Sequence, residues 1–203
     1  MPASQLTHVF FDIGGVLGTN GWDRVQRAGA AAQFGLDDEF EERHQEIAGE
    51  LETGAMGLEE YLDIAVFYQP RSFSRDEFRS YILRQSQPYP EVIALAHRVA
   101  EAGRVRLMTL NNESEALNLH RIDHFGLHGL FAAFLSSCWL RLHKPSLRFY
   151  QRALAIAQAD PRRSLFIDDR EQNLDPARRL GMQAHRYTDP AALEDALVRA
   201  GTL

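Results

Sequence analysis

The stretch from Thr7 to Asn20, THVFFDIGGVLGTN, decides how the rest of the chain is interpreted. Its apolar run, Val9 to Phe11, is short and is followed by Gly14 and Gly15, which favours a strand that is covered on both faces of a parallel sheet. The run ends at Asp12, and ligands of open α/β sheets bind at the carboxyl ends of the strands. Asp12 is therefore either a functional carboxylate or the cap of a turn.

The composition is typical of a globular protein. The length of 203 residues fits one domain, or a core domain with an insertion. Basic residues number 22 and acidic residues 28, and the net charge of −6 without a basic cluster argues against nucleic acid or membrane partners. Cys138 is the only cysteine, which excludes an internal disulfide and fits a reducing cytoplasm. Met1 to Thr7 lacks the pattern of a secretory signal, and no run approaches the ~18 apolar residues of a membrane span.

Four helices are predicted directly after the first strand. A capping box begins the last of them, with Ser74 at the N-cap and Glu77 three residues later. Phe73 is placed to contact Phe78 as a hydrophobic staple. The predicted helices of this block are Trp22 to Phe34, Asp38 to Glu52, Leu58 to Val66, and the helix that follows Ser74.

Strands and helices alternate from Pro88 onward, which indicates right-handed βαβ units and a parallel sheet. The predicted strands are Val105 to Leu110, Phe131 to Ser136, Ser164 to Ile167 and Gln183 to Tyr187. The predicted helices are Pro90 to Gly103, Asn112 (as N-cap, with Glu115) to Phe125, Pro145 to Ala157, Pro176 to Leu180 and Asp189 to Ala200. We therefore expect an α/β fold with a Rossmann-like parallel sheet, formed by residues 1–17 and 88–203, and an inserted four-helix cap, residues 18–87.

Polar side chains follow several of the predicted strands, at one edge of the sheet. They are Asp12, Asn111, Asn112, Lys144, Asp168 and Asp169. Because the ends of parallel strands point the same way, these side chains are expected to converge in one crevice beneath the cap. Adjacent carboxylates would raise one another's pKa unless a cation lay among them, and Mg²⁺ prefers oxygen ligands.

This set of residues suggests phosphoryl transfer. Lys144 adds a positive charge, and the N–H groups that open the helix at Asn112 can bind phosphate oxygens. With its charge compensated, Asp12 could attack phosphorus and form an aspartyl-phosphate, which water then hydrolyses.

Four motifs cover nearly the whole chain in a characteristic order. They are FFDIGGVL (Phe10 to Leu17), LMTLNNE (Leu107 to Glu113), HKPSLRFY (His143 to Tyr150) and FIDDREQNLDPARRLGM (Phe166 to Met182). Together they resemble the haloacid dehalogenase-like superfamily, in the phosphatase branch with a helical cap after the first strand. The DIGGVL segment is similar to the α-D-glucose-1-phosphate phosphatase group and, more distantly, to the N-terminal phosphatase domain of soluble epoxide hydrolase.

The resemblance implies a role for each matching residue. Asp12 would be the nucleophile and a metal ligand, and Gly14 would bind the metal through its carbonyl. Asp169 would bind the metal directly, and Asp168 directly or through water, while Lys144 would hold both phosphate and nucleophile. The implied phosphate contacts are Thr109, Asn111, Asn112 and Lys144. The implied cofactor is Mg²⁺, and the implied partner is a small phosphate ester bound by a monomer or homodimer.

Two positions depart from the superfamily pattern. Gly14 replaces the aspartate that protonates the leaving group. General acid–base catalysis of this kind contributes a factor of about 10²–10⁴ to the rate. This implies either a substrate with a good leaving group, such as a sugar 1-phosphate, or a weak enzyme, unless Glu113 or His143 substitutes. Leu110 stands where the pattern has a hydroxyl residue, and strand alternation lets only one of Leu110 and Thr109 face the site.

Three functions are consistent with these residues. The first is a Mg²⁺-dependent phosphatase acting on a small metabolite. The second is a haloacid dehalogenase, which also uses an aspartate nucleophile without an acidic partner two residues later. The third is a binding protein that retains the pocket but has lost turnover.

Overall fold

The computed structural model describes residues 5–203. Residues 1–4, which belong to the predicted core and to the segment considered for a secretory signal, lie outside the described residues. Its five strands are β1 (His8–Phe11), β2 (Arg106–Asn111), β3 (Ala133–Ser136), β4 (Ser164–Asp168) and β5 (Gln183–Arg186). All neighbouring strands pair in parallel, in the order β3-β2-β1-β4-β5. The predicted α/β class with a parallel sheet is confirmed, and β1 is its central strand.

Helices precede, cover and connect these strands. Before β2 they are α1 (Arg24–Phe34), α2 (Phe40–Glu52), α3 (Leu58–Ala65), α4 (Arg75–Arg84) and α5 (Pro90–Ala102). After β2 they are α6 (Glu115–His124), α7 (Ser137–Leu140), α8 (Leu147–Ala157), the 3-10 turn Pro161–Arg163, α9 (Glu171–Arg179) and α10 (Pro190–Arg199). Within residues 5–203, no helix has both the length and the apolar character that a membrane crossing requires.

Side chains of β1 alternate between two apolar clusters. Val9 and Phe11 pack with residues of α5 and α10, whereas Phe10 packs with residues of α8 and α9. Phe10 and Phe11 are both 0% exposed, so the strand is covered on both faces, as its short apolar run predicts. Burial on both faces holds β1 in place, and with it the position of Asp12 at the carboxyl end of the strand.

The helical segment α1 to α4 leaves the sheet and returns to it at adjacent points. Gly18 and Pro88 form an isolated antiparallel bridge, and the N–H of Thr19 donates to the carbonyl of Gln87 at 2.8 Å. Apolar side chains of α1 to α4 form a third cluster around Trp22, together with Leu117 of α6 and neighbouring residues. The segment therefore has an apolar core of its own that is completed by α6.

The start of α4 confirms the predicted capping box. The N–H of Glu77 donates to Ser74 Oγ at 3.2 Å, and the N–H of Ser74 donates to Glu77 Oε2 at 2.7 Å. The rings of Phe73 and Phe78 stack with centroids 5.7 Å apart, as the staple predicts. These features depend on residues within five positions of one another, so they are readable from sequence.

Asn112 does not cap α6, and the prediction of a capping box at Asn112 is wrong. The N-cap is Ser114, and α6 begins at Glu115. The Asn112 side chain instead bonds to the backbone of Lys144, 32 residues away. A tertiary partner has therefore outcompeted the local capping interaction.

Helices α1 and α2 begin at Arg24 and Phe40, two residues after their predicted starts, and two further helix starts also differ from their predictions. Helix α8 begins at Leu147, with Ser146 as N-cap, rather than at Pro145. Helix α9 begins at Glu171 rather than near Pro176, which lies inside it. The first turn of α9 is polar, so it lacks the apolar periodicity on which the prediction relied.

Candidate active site

Asp12 lies at the carboxyl end of the central strand, directly after β1. Its N–H donates to the carbonyl of Ile167 at 2.9 Å, which continues the pairing of β1 with β4. Its Oδ1 accepts a hydrogen bond from the N–H of Ile13 at 2.8 Å. Because only 7% of Asp12 is exposed, its carboxylate is held at the sheet edge in a defined orientation.

The ammonium group of Lys144 lies between two carboxylates. Its Nζ is 2.9 Å from Asp12 Oδ2 and 2.7 Å from Asp168 Oδ2. The backbone of Lys144 is held by Asn112, whose Oδ1 accepts from the Lys144 N–H at 2.8 Å. The Asn112 Nδ2 donates to the Lys144 carbonyl at 3.0 Å. Asn112 therefore positions the loop that carries Lys144.

Asp168 is fully buried and has donors on both oxygens. Its Oδ1 accepts from the N–H of Arg170 at 2.9 Å and from Asn173 Nδ2 at 3.0 Å. Its Oδ2 accepts from Lys144 Nζ at 2.7 Å and from Asn173 Nδ2 at 3.1 Å. The protein therefore compensates the charge of Asp168 with its own groups.

Asp169 differs from Asp168 because its Oδ1 is buried without a hydrogen-bond partner among the described residues. Asp12, Asp168 and Asp169 each offer a carboxylate oxygen, and these atoms lie within 4.8 Å of one another. The glycine-rich loop packs closely here, since a Cβ at Gly15 would lie 2.5 Å from Asp169 Oδ2. Among residues 5–203, this set of three carboxylates could hold a metal ion.

Burial and mutual repulsion raise the pKa values of the carboxyl groups in this cluster. Burial raises the pKa of Asp12 to about 8, Lys144 opposes the shift, and Asp168 and Asp169 add to it. Burial and the charge of Asp168 also raise the pKa of Asp169. Burial alone would lower the pKa of Lys144, but Asp12 and Asp168 together raise it. A hard cation among the three carboxylates would favour their ionised forms, so the donor set fits such an ion.

Thr109 and Asn111 do not present their side chains to this site. Thr109 Oγ1 donates to Asn111 Oδ1 at 3.3 Å, and Asn111 Nδ2 donates to Asn118 Oδ1 at 2.9 Å. Ser136 Oγ also donates to Asn111 Oδ1, at 2.9 Å. Leu110 packs into the apolar cluster on the other face of the sheet. Both side chains belong to a buried polar network and are absent from the cavity lining, and their contact with phosphate stays a prediction.

A cavity of about 260 Å³ opens at this edge of the sheet. From the sheet side, its lining includes Asp12, Gly14, Asn112, Lys144 and Asn173. From the helical segment, its lining includes Trp22, Arg27, His44, Leu51 and Glu52. The predicted crevice therefore has walls from both parts of the chain.

Arg121 fills the space beside Gly14, where a Cβ would lie 3.2 Å from Arg121 Nη1. The Arg121 side chain is 1% exposed, and its Nη1 lies 2.8 Å from Glu113 Oε2 in a buried ion pair. Its Nη2 donates to the carbonyl of Asn20 at 2.6 Å, and its Nε donates to Ser86 Oγ at 3.1 Å. The guanidinium group thus ties α6 to both ends of the helical segment. An acidic side chain at position 14 would compete with Glu113 for it.

We expect Arg121→Met to lower the free energy of unfolding by about 3–5 kcal/mol, because it leaves the buried Glu113 carboxylate without its partner. Equilibrium denaturation in urea measures the change. In an Arg121→Met/Glu113→Gln double variant, most of the loss should be recovered, since no buried charge is left unpaired. Equal instability of the single and double variants would show that the ion pair is not the cause.

His143 is exposed, and its Nδ1 lies 2.9 Å from the carbonyl oxygen of Lys144, outside the cavity lining. Glu113 lines the cavity, but it is engaged by Arg121 and by the N–H of Ser114 at 2.9 Å. Neither candidate substitute for the missing aspartate therefore presents a free group to the cavity.

Sequence reasoning missed four residues of the site: Arg121, Asn173, His44 and Glu52. Asn173 follows Asp168 by five residues within a recognised motif, and an amide at that spacing could have been noticed. Arg121 offers no local signal, because its partners Asn20 and Ser86 are 101 and 35 residues away. The other two reach the cavity only through the packing of α2.

Two curated proteins similar to this chain are phosphoglycolate phosphatases. The protein from Mesorhizobium japonicum is 30% identical over 121 residues, which are 60% of this chain and 53% of that protein. The protein from Agrobacterium fabrum is 26% identical over 121 residues, which are 58% of this chain and 52% of that protein. The matched region therefore spans about half the length of these relatives.

Solved structures share the fold at low sequence identity. A haloacid dehalogenase-like enzyme from Bacteroides thetaiotaomicron superposes with a TM-score of 0.80 at 19% identity, over 91% of this chain and 95% of that chain. An L-2-haloacid dehalogenase from Xanthobacter autotrophicus superposes with a TM-score of 0.61 at 18% identity, over 96% and 83% of the two chains. A family profile described as haloacid dehalogenase-like hydrolase matches residues 6–181. With that match and the site geometry, the chain belongs to the haloacid dehalogenase-like hydrolase family.

Proposed function

We propose that this protein is a Mg²⁺-dependent phosphatase that hydrolyses a small phosphate ester through an aspartyl-phosphate on Asp12. The observation that carries the proposal is the contact of one buried ammonium, Lys144, with both Asp12 and Asp168, at 2.9 and 2.7 Å. This contact lies beside Asp169, whose Oδ1 has no hydrogen-bond partner within residues 5–203. A nucleophilic carboxylate, a cation and further oxygen ligands are therefore gathered at one point.

Two similarities support this proposal. Both curated relatives named above are phosphoglycolate phosphatases. The Bacteroides thetaiotaomicron enzyme has also been crystallised as a complex with magnesium and inorganic phosphate. A protein of this fold therefore binds both magnesium and phosphate.

Asp12, Asp168 and Asp169, with the carbonyl of Gly14, would hold Mg²⁺. When bound, the ion compensates the charge of the carboxylates and of an approaching phosphoryl group. The oxygen-only donor set and the raised pKa values of Asp12 and Asp169 fit a hard divalent cation.

The chain's own residues would perform the covalent steps. An Asp12 carboxylate oxygen attacks phosphorus, a P–O bond forms, and the bond from phosphorus to the ester oxygen breaks. The leaving oxygen takes up a proton. Water then attacks phosphorus, the bond from phosphorus to the Asp12 oxygen breaks, and inorganic phosphate leaves as the Asp12 carboxylate is restored. Lys144 orients Asp12 and offers positive charge to the phosphoryl oxygens, while Asn112 keeps Lys144 in place.

We propose that residues 18–87 act as a cap over this chemistry. Ser137 Oγ donates to the carbonyl of Glu52 at 2.6 Å, which anchors the end of α2 to the segment after β3. Arg170 Nη2 lies 2.8 Å from Asp23 Oδ2, which links the segment after β4 to the start of α1. These contacts hold the helical segment against the segments that follow β3 and β4.

Glu52 is the cavity residue that we expect to protonate the leaving oxygen, because Gly14 has no side chain that could donate a proton. It lines the cavity, and its carboxylate has no hydrogen-bond or ion-pair partner among the described residues. Burial raises the pKa of Glu52, with Glu113 acting in the same direction, which keeps a proton available. The expected preference for good leaving groups, such as sugar 1-phosphates, then depends on how well Glu52 replaces the aspartate.

We expect Glu52→Gln to slow the hydrolysis of alkyl phosphates by about 10²-fold or more and to leave the hydrolysis of p-nitrophenyl phosphate nearly unchanged. The reason is that only poor leaving groups require protonation. The measurement is kcat/KM for a series of esters with increasing leaving-group pKa. Glu50→Gln, an exposed substitution on the same helix, is the matched control. An equal loss for all esters would rule out an acid role for Glu52.

The experiment that tests the function is phosphate release from p-nitrophenyl phosphate, acetyl phosphate, 2-phosphoglycolate, sugar 1-phosphates and sugar 6-phosphates, with Mg²⁺ and with EDTA. Turnover that depends on Mg²⁺ is the expected result. Absence of phosphate release from every ester would overturn the proposal, and halide release from 2-haloacids in EDTA would then favour the dehalogenase alternative.

A further inference from the structure

Three side chains from different parts of the helical segment form a hydrogen-bonded chain that ends at the cavity. Trp22 Nε1 lies 3.1 Å from Tyr61 Oη, and Tyr61 Oη lies 3.0 Å from His44 Nδ1. Trp22 and His44 are each 8% exposed, and Tyr61 is 0% exposed. Trp22 and His44 line the cavity, whereas Tyr61 lies behind them.

The direction of these hydrogen bonds follows from the donors available. An indole N–H can only donate, so Tyr61 Oη accepts from Trp22. The buried Tyr61 hydroxyl proton has His44 Nδ1 as its acceptor, so Nδ1 carries no hydrogen. A neutral imidazole then carries its hydrogen on Nε2.

The charge state of His44 agrees with this assignment. Burial and the nearby Arg27 guanidinium lower the pKa of His44 to about 4, while Glu41 and Asp23 oppose the shift. Arg27 is itself held by Glu41 at 2.8 Å through both Nε and Nη2. The imidazole is therefore neutral near pH 7, and its tautomer depends on the hydrogen bond from Tyr61.

The Nε2–H of His44 has no hydrogen-bond partner among the described residues, although the side chain lines the cavity and is more than nine-tenths buried. The cavity is open to water, which can accept from this Nε2–H, so a ligand that displaces the water must supply an acceptor in its place. We propose that His44 Nε2–H binds an oxygen acceptor on the organic part of the substrate, so that the enzyme selects phosphate esters bearing such an oxygen.

This inference rests on the proposed function and adds a substrate class to it. His44 lies on the helical-segment wall of the cavity, whereas Asp12 and Lys144 lie on the sheet wall. The cavity of about 260 Å³ has room for a small phosphate ester. Trp22 and Tyr61 are positioning residues, because they set the tautomer and orientation of His44 without supplying the donor.

The test compares 2-phosphoglycolate, whose carboxylate accepts hydrogen bonds, 2-hydroxyethyl phosphate, whose hydroxyl also accepts them, and n-propyl phosphate, which lacks such an oxygen. Each compound is measured as a substrate and as an inhibitor of phenyl phosphate hydrolysis, so a slow ester still yields an affinity. We expect His44→Phe to weaken the affinity for 2-phosphoglycolate and 2-hydroxyethyl phosphate about tenfold or more. The affinity for n-propyl phosphate should fall less than about twofold. A larger loss for the carboxylate than for the hydroxyl identifies an anionic acceptor.

His44→Gln retains a donor near the Nε2 position and should recover most of the lost affinity. Tyr61→Phe removes the hydroxyl that selects the tautomer of His44, so it should reduce the discrimination between n-propyl phosphate and the two esters that carry an acceptor oxygen. Equal loss with all three compounds, or no loss, would overturn the inference. If phenyl phosphate is not hydrolysed by the unaltered protein, the proposed function fails, and calorimetric binding of the same three compounds still tests His44.

An independent readout is the ¹⁵N NMR spectrum of the imidazole in the unaltered protein, assigned by its loss in His44→Phe. The expected spectrum is that of a neutral ring protonated on Nε2. A ring protonated on Nδ1, or an imidazolium at pH 7, would contradict the hydrogen-bond directions argued above.

Discussion

Asp12→Asn should abolish phosphate release, with a fall in kcat of at least ~10³-fold, because an amide oxygen does not replace a carboxylate as nucleophile. The fold should tolerate the change, since Asn is nearly isosteric and can accept the hydrogen bond from the N–H of Ile13. Steady-state kinetics with p-nitrophenyl phosphate measures the loss. Acid quenching of the unaltered enzyme with ³²P-labelled substrate should trap phosphate on the protein, and the variant should trap none.

The matched control is Asp195→Asn, an exposed aspartate on α10 that makes the same change of charge. Its kinetics should equal those of the unaltered protein. Substantial turnover in Asp12→Asn that still requires Mg²⁺ would mean that water attacks phosphorus directly, without an aspartyl-phosphate.

Lys144→Met should reduce both activity and stability. Lys144 is the only lysine in the sequence, and its ammonium contacts Asp12 and Asp168 while only 4% of the residue is exposed. Removing it leaves two buried carboxylates without their shared partner, which is expected to cost about 3–5 kcal/mol of unfolding free energy. The loss of activity should be at least ~10²-fold, because both nucleophile and phosphate lose a positive contact.

The stability of Lys144→Met should also fall as the pH rises. Burial already raises the pKa of Asp12 to about 8, and loss of the Lys144 charge raises it further. A carboxyl group whose pKa is higher in the folded than in the unfolded state binds more protons when folded, so stability decreases as pH rises from about 4 toward 8 and above. Urea denaturation at several pH values measures the slope, and added Mg²⁺ should restore part of the loss.

Lys144→Arg is the informative companion variant. It keeps the charge, but a planar guanidinium cannot replace a compact ammonium 2.9 and 2.7 Å from two carboxylates. We expect stability closer to that of the unaltered protein and activity that stays low. Full activity in Lys144→Arg would show that charge alone, and not the geometry of the ammonium group, supports the reaction.

Much of the fold could be predicted because its signals are local. The apolar run ending at Phe11, the capping box at Ser74 and the proline-led start of α5 each depend on neighbouring residues. The alternation of strands and helices then predicted a parallel sheet, because βαβ units connect parallel strands by right-handed crossovers. Predictions failed where a distant partner intervened, as when Asn112 bonded to Lys144 instead of capping α6.

The sequence by itself determined the class of fold and the set of polar residues at the strand ends, because a parallel sheet brings those ends together whatever the details of packing. Only the tertiary structure decided which side chains face the cavity. Thr109 and Asn111 turn into a buried network, and Arg121 takes the space beside Gly14. These choices depend on side chains far apart in sequence competing for the same hydrogen bonds and volume, and no local pattern records that competition.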